Sequence, residues 1–251
     1  MGDTTFARYF DAQYRAFGED LTLWLHLAAE HGGPIIELGC GTGRVVRALI
    51  QAGHHVIGID IDRQMLARAQ NHLAPFFLQN SCLVQADLQT FRFDLRFNIA
   101  IAPMNTLCTF DDSGLITAFR NIARQLSPDG LFAFEIPNPA VDPFKGVDPN
   151  EPLTGFVEPE SGNPCQVYAQ RIEGPAQDQV EICWYYDELL ADGSTQRYTL
   201  RQVYFLRSKE KVQEFLNRAN CTVIEAYGNY ARSPLEKDSE MMIVVARVNP
   251  L

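Results

Sequence analysis

A glycine-rich segment between two apolar stretches offers the clearest chemistry in this chain. It runs from Glu37 to Gly43 and places glycine at every second position, at Gly39, Gly41 and Gly43. Glycine tolerates positive φ and leaves room for a ligand to lie against the backbone. The residues before the segment predict a strand, and those that begin at Arg44 predict a helix. A strand, a glycine-rich turn and a helix form the first unit of a nucleotide-binding α/β sheet.

Two familiar nucleotide loops do not fit this segment. The dinucleotide fingerprint requires Gly or Ala at its sixth position, where the two possible registers place Arg44 or Val46. A phosphate-binding P-loop requires a Lys followed by Ser or Thr, and no such pair follows here. The segment therefore weighs against an NAD(P)-dependent oxidoreductase, which is the first competing hypothesis.

Two acids follow the next two predicted strands. Asp60 ends the second strand and Asp87 ends the third, and the carboxyl ends of parallel strands form the edge where open α/β sheets bind ligands. A carboxylate after the second strand can accept hydrogen bonds from both ribose hydroxyls, and one after the third can accept from the adenine amine. The pattern indicates a nucleoside without phosphates.

These motifs together resemble the class I S-adenosylmethionine-dependent methyltransferases. Residues 37–43 match the first motif of that family, residues 58–62 its second-strand acid, and residues 86–88 its adenine-contacting segment. Residues 126–131 look like the usual entry into the fifth strand. The resemblance covers about residues 34–136 and 207–251, and it implies a doubly wound, mostly parallel α/β sheet of seven strands with a Rossmann-like arrangement.

The resemblance also implies S-adenosylmethionine as the cofactor and a role for each matching residue. Ile61 and Leu88 would enclose the adenine, and Glu37 would organise the loop and the methionine amino group. Asp62 is expected to cap a helix. The residues expected to bind the cofactor are Tyr14, Glu37, Gly39, Gly41, Gly43, Asp60, Ile61, Asp87, Leu88 and Ala102.

The methyl acceptor is expected to be a small molecule, methylated at nitrogen or oxygen. Methyl transfer from a sulfonium needs alignment and exclusion of water more than a strong base, and no catalytic dyad is evident. The candidates for the acceptor site are Asn105, Tyr185, Arg201 and Tyr230. A non-catalytic protein that binds S-adenosylmethionine as a sensor is the alternative function.

Hydrophobic periodicity divides the chain into three parts. Residues 1–33 are predicted to form a helical cap, and residues 34–136 together with 207–251 the alternating α/β core. Between them, residues 137–206 begin with a proline-rich stretch and continue with three β-type runs, which predict an antiparallel insertion that serves as a lid.

The composition excludes some classes of partner and indicates a cellular location. The formal net charge of -10 over 251 residues disfavours nucleic acid as a partner. No signal peptide and no apolar run of membrane-spanning length is visible, so a cytoplasmic location without membrane contact is expected. The six scattered cysteines predict reduced thiols, and the five histidines form no metal-ligating pair. The oligomeric state does not follow from the sequence.

Overall fold

The structure is a computed structural model that describes residues 4–76, 81–141, 145–174, 176 and 178–249. The ends of the predicted cap and core, residues 1–3 and 250–251, lie outside the described residues. The helices are α1 (Thr4–Tyr14), α2 (Leu21–His31), α3 (Arg44–Gln51), α4 (Arg63–Leu73), α5 (Asp112–Gln125) and α6 (Lys209–Arg218). The strands are β1 (Ile35–Leu38), β2 (Val56–Asp60), β3 (Ser81–Gln85), β4 (Phe97–Ala102), β5 (Leu126–Pro137), β6 (Thr154–Val157), β7 (Pro164–Glu173), β8 (Gln179–Leu189), β9 (Thr195–Phe205), β10 (Cys221–Tyr227) and β11 (Met241–Val248).

Seven strands form one sheet in the order β10-β11-β5-β4-β1-β2-β3. Strands β1 to β5 run parallel, and β11 lies antiparallel to both β5 and β10. The order reverses between β1 and β4, so the ends of these strands form the switch point where such sheets bind ligands. The predicted fold class, a mostly parallel seven-stranded sheet, is confirmed.

Successive residues of the central strands supply the two hydrophobic layers that cover the sheet. In β4, Ile99 and Ile101 pack on one face, while Ala100 and Ala102 pack on the other. Side chains alternate between the faces of a strand, so a strand buried on both faces is apolar throughout. This layering explains why β4 is apolar from Ile99 to Ala102 and why it forms over the residues predicted for it.

Short polar side chains begin three of the helices at this sheet edge or near it. Asp62 accepts the backbone N–H of Gln64 at 2.7 Å, and Asp111 accepts that of Gly114 at 2.7 Å. Ser208 caps α6 in the same way, through the N–H of Lys211. Caps of this kind satisfy N–H groups that have no partner within the helix, and the predicted capping role of Asp62 is confirmed.

The insertion forms a second, antiparallel sheet in the order β6-β7-β8-β9. Strand β6 falls within the proline-rich stretch that predicted little regular structure, and it pairs with β7 from Thr154 to Val157. Helix α1 packs against this sheet through Tyr9, whose ring stacks on Tyr186 with centroids 5.3 Å apart. The second sheet and α1 together face the carboxyl ends of the parallel strands.

Candidate active site

One cavity of about 620 Å³ lies between the carboxyl ends of the parallel strands, helix α1 and the second sheet. Its volume falls in the ordinary range for small-molecule sites. It extends from the ends of β2 and β3, past the glycine loop after β1, to the end of β5 and the loop between β10 and β11. The predicted site residues that line it are Tyr14, Gly39, Gly41, Asp60, Ile61, Asp87, Leu88, Asn105 and Tyr230.

Two of the three loop glycines border the cavity. Gly39 and Gly41 have φ values of 68° and 52°, in the left-handed region that favours glycine. A Cβ at Gly39 would overlap the side chain of Thr106, so this glycine also lets the loop after β4 approach β1. The backbone between them therefore lies directly against the space available to a ligand.

Gly43, the third glycine of the loop, lies beside helix α4. It is the N-cap of α3 with φ of 81°, and a Cβ there would lie 3.0 Å from Cβ of Ala69 on α4. Gly43 does not border the main cavity. The positive φ and the close approach of Ala69 both favour glycine at this position, and contact of Gly43 with the cofactor stays a prediction.

Asp60 ties the glycine loop to the end of β2. The backbone N–H of Gly41 donates to its Oδ2 at 2.8 Å, and that of Asp62 donates to its Oδ1 at 2.8 Å. Burial raises the pKa of Asp60, and these two amides oppose the rise. A carboxylate oxygen can accept more than one hydrogen bond, so Asp60 has capacity left for hydroxyl groups in the cavity.

Asp87 and two apolar side chains surround the region beyond Asp60. The backbone N–H of Gln89 donates to Oδ1 of Asp87 at 2.8 Å, which fixes the carboxylate at the end of β3. Leu88 is buried, whereas Ile61 is 68% exposed although it lines the same cavity. An exposed isoleucine at a cavity mouth gains burial when a flat ligand covers it.

Glu37 lies in a small recess that adjoins the cavity and that Tyr14, Gly39 and Pro103 also line. Its carboxyl is buried, and Oε2 has no hydrogen-bond partner among the described residues. Burial raises the pKa of Glu37 well above its usual value, and the nearby Arg44 opposes the rise. A buried oxygen without a donor is costly, so this arrangement suits a ligand that brings one.

Arg44, whose side chain excluded the dinucleotide loop, forms a buried ion pair with Asp20. Its two terminal nitrogens donate to the two carboxylate oxygens at 2.6 and 2.7 Å, and one also donates to the carbonyl of Phe17 at 3.1 Å. The indole of Trp24 donates to the same carboxylate at 2.9 Å. This network joins α3 to the connection between α1 and α2.

Three further predicted residues do not border the cavity. Ala102 is fully buried in the hydrophobic layer, because an alanine at the end of β4 points into the sheet face and away from its edge. Tyr185 and Arg201 lie on the outer face of the second sheet, where the Tyr185 hydroxyl donates to Gln170 and Arg201 approaches Glu181 at 3.5 Å. These three assignments are corrected.

The opposite face of the same two strands lines the cavity instead. It presents Val180, Trp184, Gln202 and Tyr204, and the Tyr204 hydroxyl donates to Gln202 Oε1 at 2.7 Å. Because side chains alternate between the two faces of a strand, Trp184 lies on the face of β8 opposite to that of Tyr185. The tyrosine and tryptophan rings form a wall that faces the glycine loop.

Sequence reasoning missed Glu135, which lines the cavity at the end of β5. Its carboxyl is buried, and the backbone N–H of Met104 donates to Oε1 at 2.7 Å. Oε2 has no hydrogen-bond partner among the described residues. An acid inside the apolar run from Leu131 to Ile136 was the available signal, because a charged residue in a buried strand is rare unless it is paired.

Metal ligation and membrane insertion find no support in the described residues. Across residues 4–249, apart from the gaps given above, no cluster of His, Cys, Asp and Glu has the arrangement of a metal site. No helix in the described ranges is long and apolar enough to span a bilayer. All six cysteines are free thiols, and five of them are buried.

Part of the chain is similar in sequence to known methyltransferases. Residues 35–130 match a family model described as a methyltransferase domain. YqeM of Bacillus subtilis (strain 168) is 30% identical over 119 residues, which is 46% of this chain and 47% of YqeM. The cypemycin N-terminal methyltransferase of a Streptomyces species is 24% identical over 215 residues, 85% of this chain and 82% of that protein.

The chain is also similar in structure to an S-adenosylmethionine-dependent methyltransferase from Clostridium acetobutylicum ATCC 824. The TM-score is 0.79 at 17% sequence identity, and the alignment covers 98% of each chain. The likeness in fold therefore extends over nearly the whole chain. The match to YqeM spans about half the length of that relative.

Proposed function

We propose that this chain, which has the class I S-adenosylmethionine-dependent methyltransferase fold and domain, transfers a methyl group to nitrogen or oxygen of a small-molecule acceptor. The observation that carries the proposal is the continuity of the cavity. A single space extends from Asp60 and Asp87 past the glycine loop to Glu135 and Tyr230. It offers a place for a nucleoside at one end and for an acceptor at the other.

The cofactor-binding residues follow from the geometry of the first end. Bound S-adenosylmethionine supplies an activated methyl group on a sulfonium. Asp60 would accept the ribose hydroxyls and Asp87 the adenine amine, while Ile61 and Leu88 would enclose the base. The unpartnered, buried Oε2 of Glu37 supports a place for the methionine amino group in the recess beside Tyr14.

The second sheet and α1 would exclude water from the acceptor end. Water exclusion and alignment are the main demands of an in-line displacement. We infer that residues 137–206 form the lid, residues 1–33 the cap, and residues 34–136 with 207–251 the core. The similarity to the cypemycin N-terminal methyltransferase favours nitrogen as the acceptor atom.

The proposed partner is a small molecule, with no nucleic acid and no membrane. The net charge of -10 supports this choice because the surface as a whole repels phosphate backbones. A cytoplasmic location belongs to the same proposal, and the free thiols are consistent with a reducing compartment.

Product formation tests whether the site is catalytic. Purified protein is incubated with S-adenosylmethionine and a fractionated metabolite extract, and S-adenosylhomocysteine is measured by mass spectrometry. We expect S-adenosylhomocysteine and a product that is one methyl group heavier than its acceptor. Tight binding of S-adenosylmethionine without turnover in any fraction would favour the non-catalytic sensor.

A further inference from the structure

The charges around the cavity are all of one sign. Among the described residues that line it, none is Lys, Arg or His. The acidic residues that line it are Asp60, Asp62, Asp87, Glu135 and Glu240. Phosphate and carboxylate groups are recognised by cationic side chains or by several aligned N–H donors. The cavity is therefore suited to a neutral or cationic acceptor and unsuited to an anionic one.

Glu135 is the buried acid at the acceptor end. The N–H of Met104 donates to Oε1 at 2.7 Å. The Tyr230 hydroxyl faces the carboxyl closely enough to lower its pKa, but it does not reach hydrogen-bond geometry with the buried Oε2. Only 3% of Glu135 is exposed, so solvent does not readily supply the missing donor. An N–H of a cationic ligand would be the strongest available partner for this oxygen.

Glu135 lies outside the recess that is proposed for the methionine amino group of the cofactor. The recess next to the glycine loop already contains the buried carboxyl of Glu37, and Glu135 does not line that recess. Glu135 instead lines the main cavity together with Tyr230 and Met241, which lie at its far end. The two unpartnered carboxylate oxygens thus belong to different parts of the site.

Aromatic rings on the facing walls add to the preference for a cation. Trp184 and Tyr204 line the cavity from the second sheet, and Tyr230 lines it from the loop between β10 and β11. The faces of such rings attract ammonium groups, most strongly where water is excluded.

We propose that Glu135 binds the methyl acceptor as an amine through Oε2 and takes up one of its N–H protons. The acceptor class is then a small basic amine without anionic groups, and the inference rests on the proposed function. The acceptor enters as its ammonium form, and one proton moves from the ammonium nitrogen to Oε2, which leaves a neutral amine whose lone pair attacks the methyl group. Oε1 keeps its bond to Met104 throughout.

The groups that face Glu135 come from several elements. Tyr230 comes from the loop between β10 and β11, Arg44 from α3, and Asp20 from the start of α2. The N–H of Met104 comes from the loop after β4. Burial raises the pKa of Glu135 to about 7, and the Tyr230 hydroxyl opposes the rise. Proton uptake near neutral pH is therefore within the reach of this carboxyl.

A pair of matched probes tests the inference by binding alone. Benzylamine and benzyl alcohol are titrated calorimetrically into protein saturated with S-adenosylhomocysteine, in wild type, Glu135→Gln and Glu214→Gln. Glu214 is an exposed acid on α6, remote from the cavity, and provides the same chemical change as a control. We expect benzylamine to bind wild type and the control at least about tenfold more tightly than benzyl alcohol does.

In Glu135→Gln the preference for the amine should disappear while the affinity for S-adenosylhomocysteine stays the same. Benzylamine that binds wild type no more tightly than benzyl alcohol overturns the inference. A loss of S-adenosylhomocysteine affinity in Glu135→Gln also overturns it and assigns Glu135 to the cofactor. If wild type itself fails to bind S-adenosylhomocysteine, the proposed function fails with it.

A pH series on wild type provides a second measurement that needs no variant. Protonation removes the negative charge of Glu135, so benzylamine affinity should fall as pH decreases through about 7, while benzyl alcohol affinity stays level. A parallel pH response of the two probes contradicts the inference even if Glu135→Gln does not fold.

Discussion

The Tyr9 hydroxyl donates a 2.6 Å hydrogen bond to Oε2 of Glu188, which joins α1 to β8 across 179 positions of the sequence. Arg8 donates to the same oxygen at 2.8 Å, and Ser161 and Asn163 donate to Oε1 at 2.6 and 2.9 Å. The opposite side of α1 presents Phe6, Phe10 and Tyr14 to the cavity. The bond between Tyr9 and Glu188 therefore holds the helix that closes the site against the sheet that covers it.

Loss of the Tyr9 hydroxyl should weaken the contact between α1 and β8, while the ring of residue 9 still fills its place. Tyr9→Phe keeps the ring that stacks on Tyr186 but removes one bond to a buried charge, at a cost of about 1.5–3 kcal/mol. The free energy of unfolding is measured in urea. Tyr227→Phe, which removes a hydroxyl from an exposed pair with Glu225, should change it by less than about 0.5 kcal/mol. Equal losses in the two variants would show that the contact adds nothing.

Low pH should weaken the contact between Tyr9 and Glu188 over a defined pH range. Burial alone raises the pKa of Glu188, but hydrogen bonds from Ser161, Tyr9 and Asn163 outweigh it and lower the pKa to about 2. A depressed folded-state pKa adds stability above the unfolded value of 4.5, and this stability is lost as pH falls from about 4.5 to about 2. Tm measured from pH 6 to pH 2.5 should therefore fall more steeply in wild type than in Glu188→Gln. Equal slopes of Tm against pH in wild type and Glu188→Gln would contradict the role assigned to Glu188.

The ion pair of Arg44 and Asp20 should be essential for stability. Arg44→Leu leaves a fully buried carboxylate whose remaining side-chain donor is the indole of Trp24, and the expected loss is about 3–5 kcal/mol. Arg47→Leu changes the same residue type on the next turn of α3, outside this pair, and serves as the control. Thermal unfolding followed by circular dichroism measures both. A smaller loss in Arg44→Leu than in Arg47→Leu would refute the prediction.

Asp60 should contribute to cofactor affinity through its oxygens. Asp60→Asn replaces one acceptor with an amide NH₂, which leaves a donor partner unpaired and weakens S-adenosylhomocysteine binding by about 1–3 kcal/mol. Asp94→Asn, on an exposed turn before β4, is the matched control. Calorimetry of both variants, with circular dichroism to confirm folding, provides the measurement. Unchanged affinity in folded Asp60→Asn would remove this residue from the site.

The sheet and its ligand edge could be predicted because their signals are local. Strand β4 is apolar at every position except Asn98, and Asp62 stands directly before a helical pattern. Asp60 and Asp87 reach the cavity because parallel strands end at one edge, which requires no knowledge of tertiary packing. The alternating α/β core and these positions followed from chain order and periodicity, whereas the seven-stranded fold class followed from the resemblance to the class I methyltransferases.

The remaining residues depend on packing between elements that are distant in sequence. Alternation in β8 separates Trp184 from Tyr185, but which of the two faces turns inward is decided by α1, through Tyr9 and Tyr186. Gly43 matches a motif position, yet its contact is Ala69 on another helix. Glu135 was hidden because a strand pattern does not show that its neighbours leave one carboxylate oxygen without a donor.

The claim that this cavity binds S-adenosylmethionine is tested most directly by a crystal structure of the chain with S-adenosylhomocysteine. The account predicts ribose hydroxyls within hydrogen-bond distance of Asp60, the adenine amine at Asp87, and the sulfur facing the end of the cavity that Glu135 and Tyr230 line. Electron density for S-adenosylhomocysteine outside this cavity, or in it with the adenine at Glu135, would contradict the account.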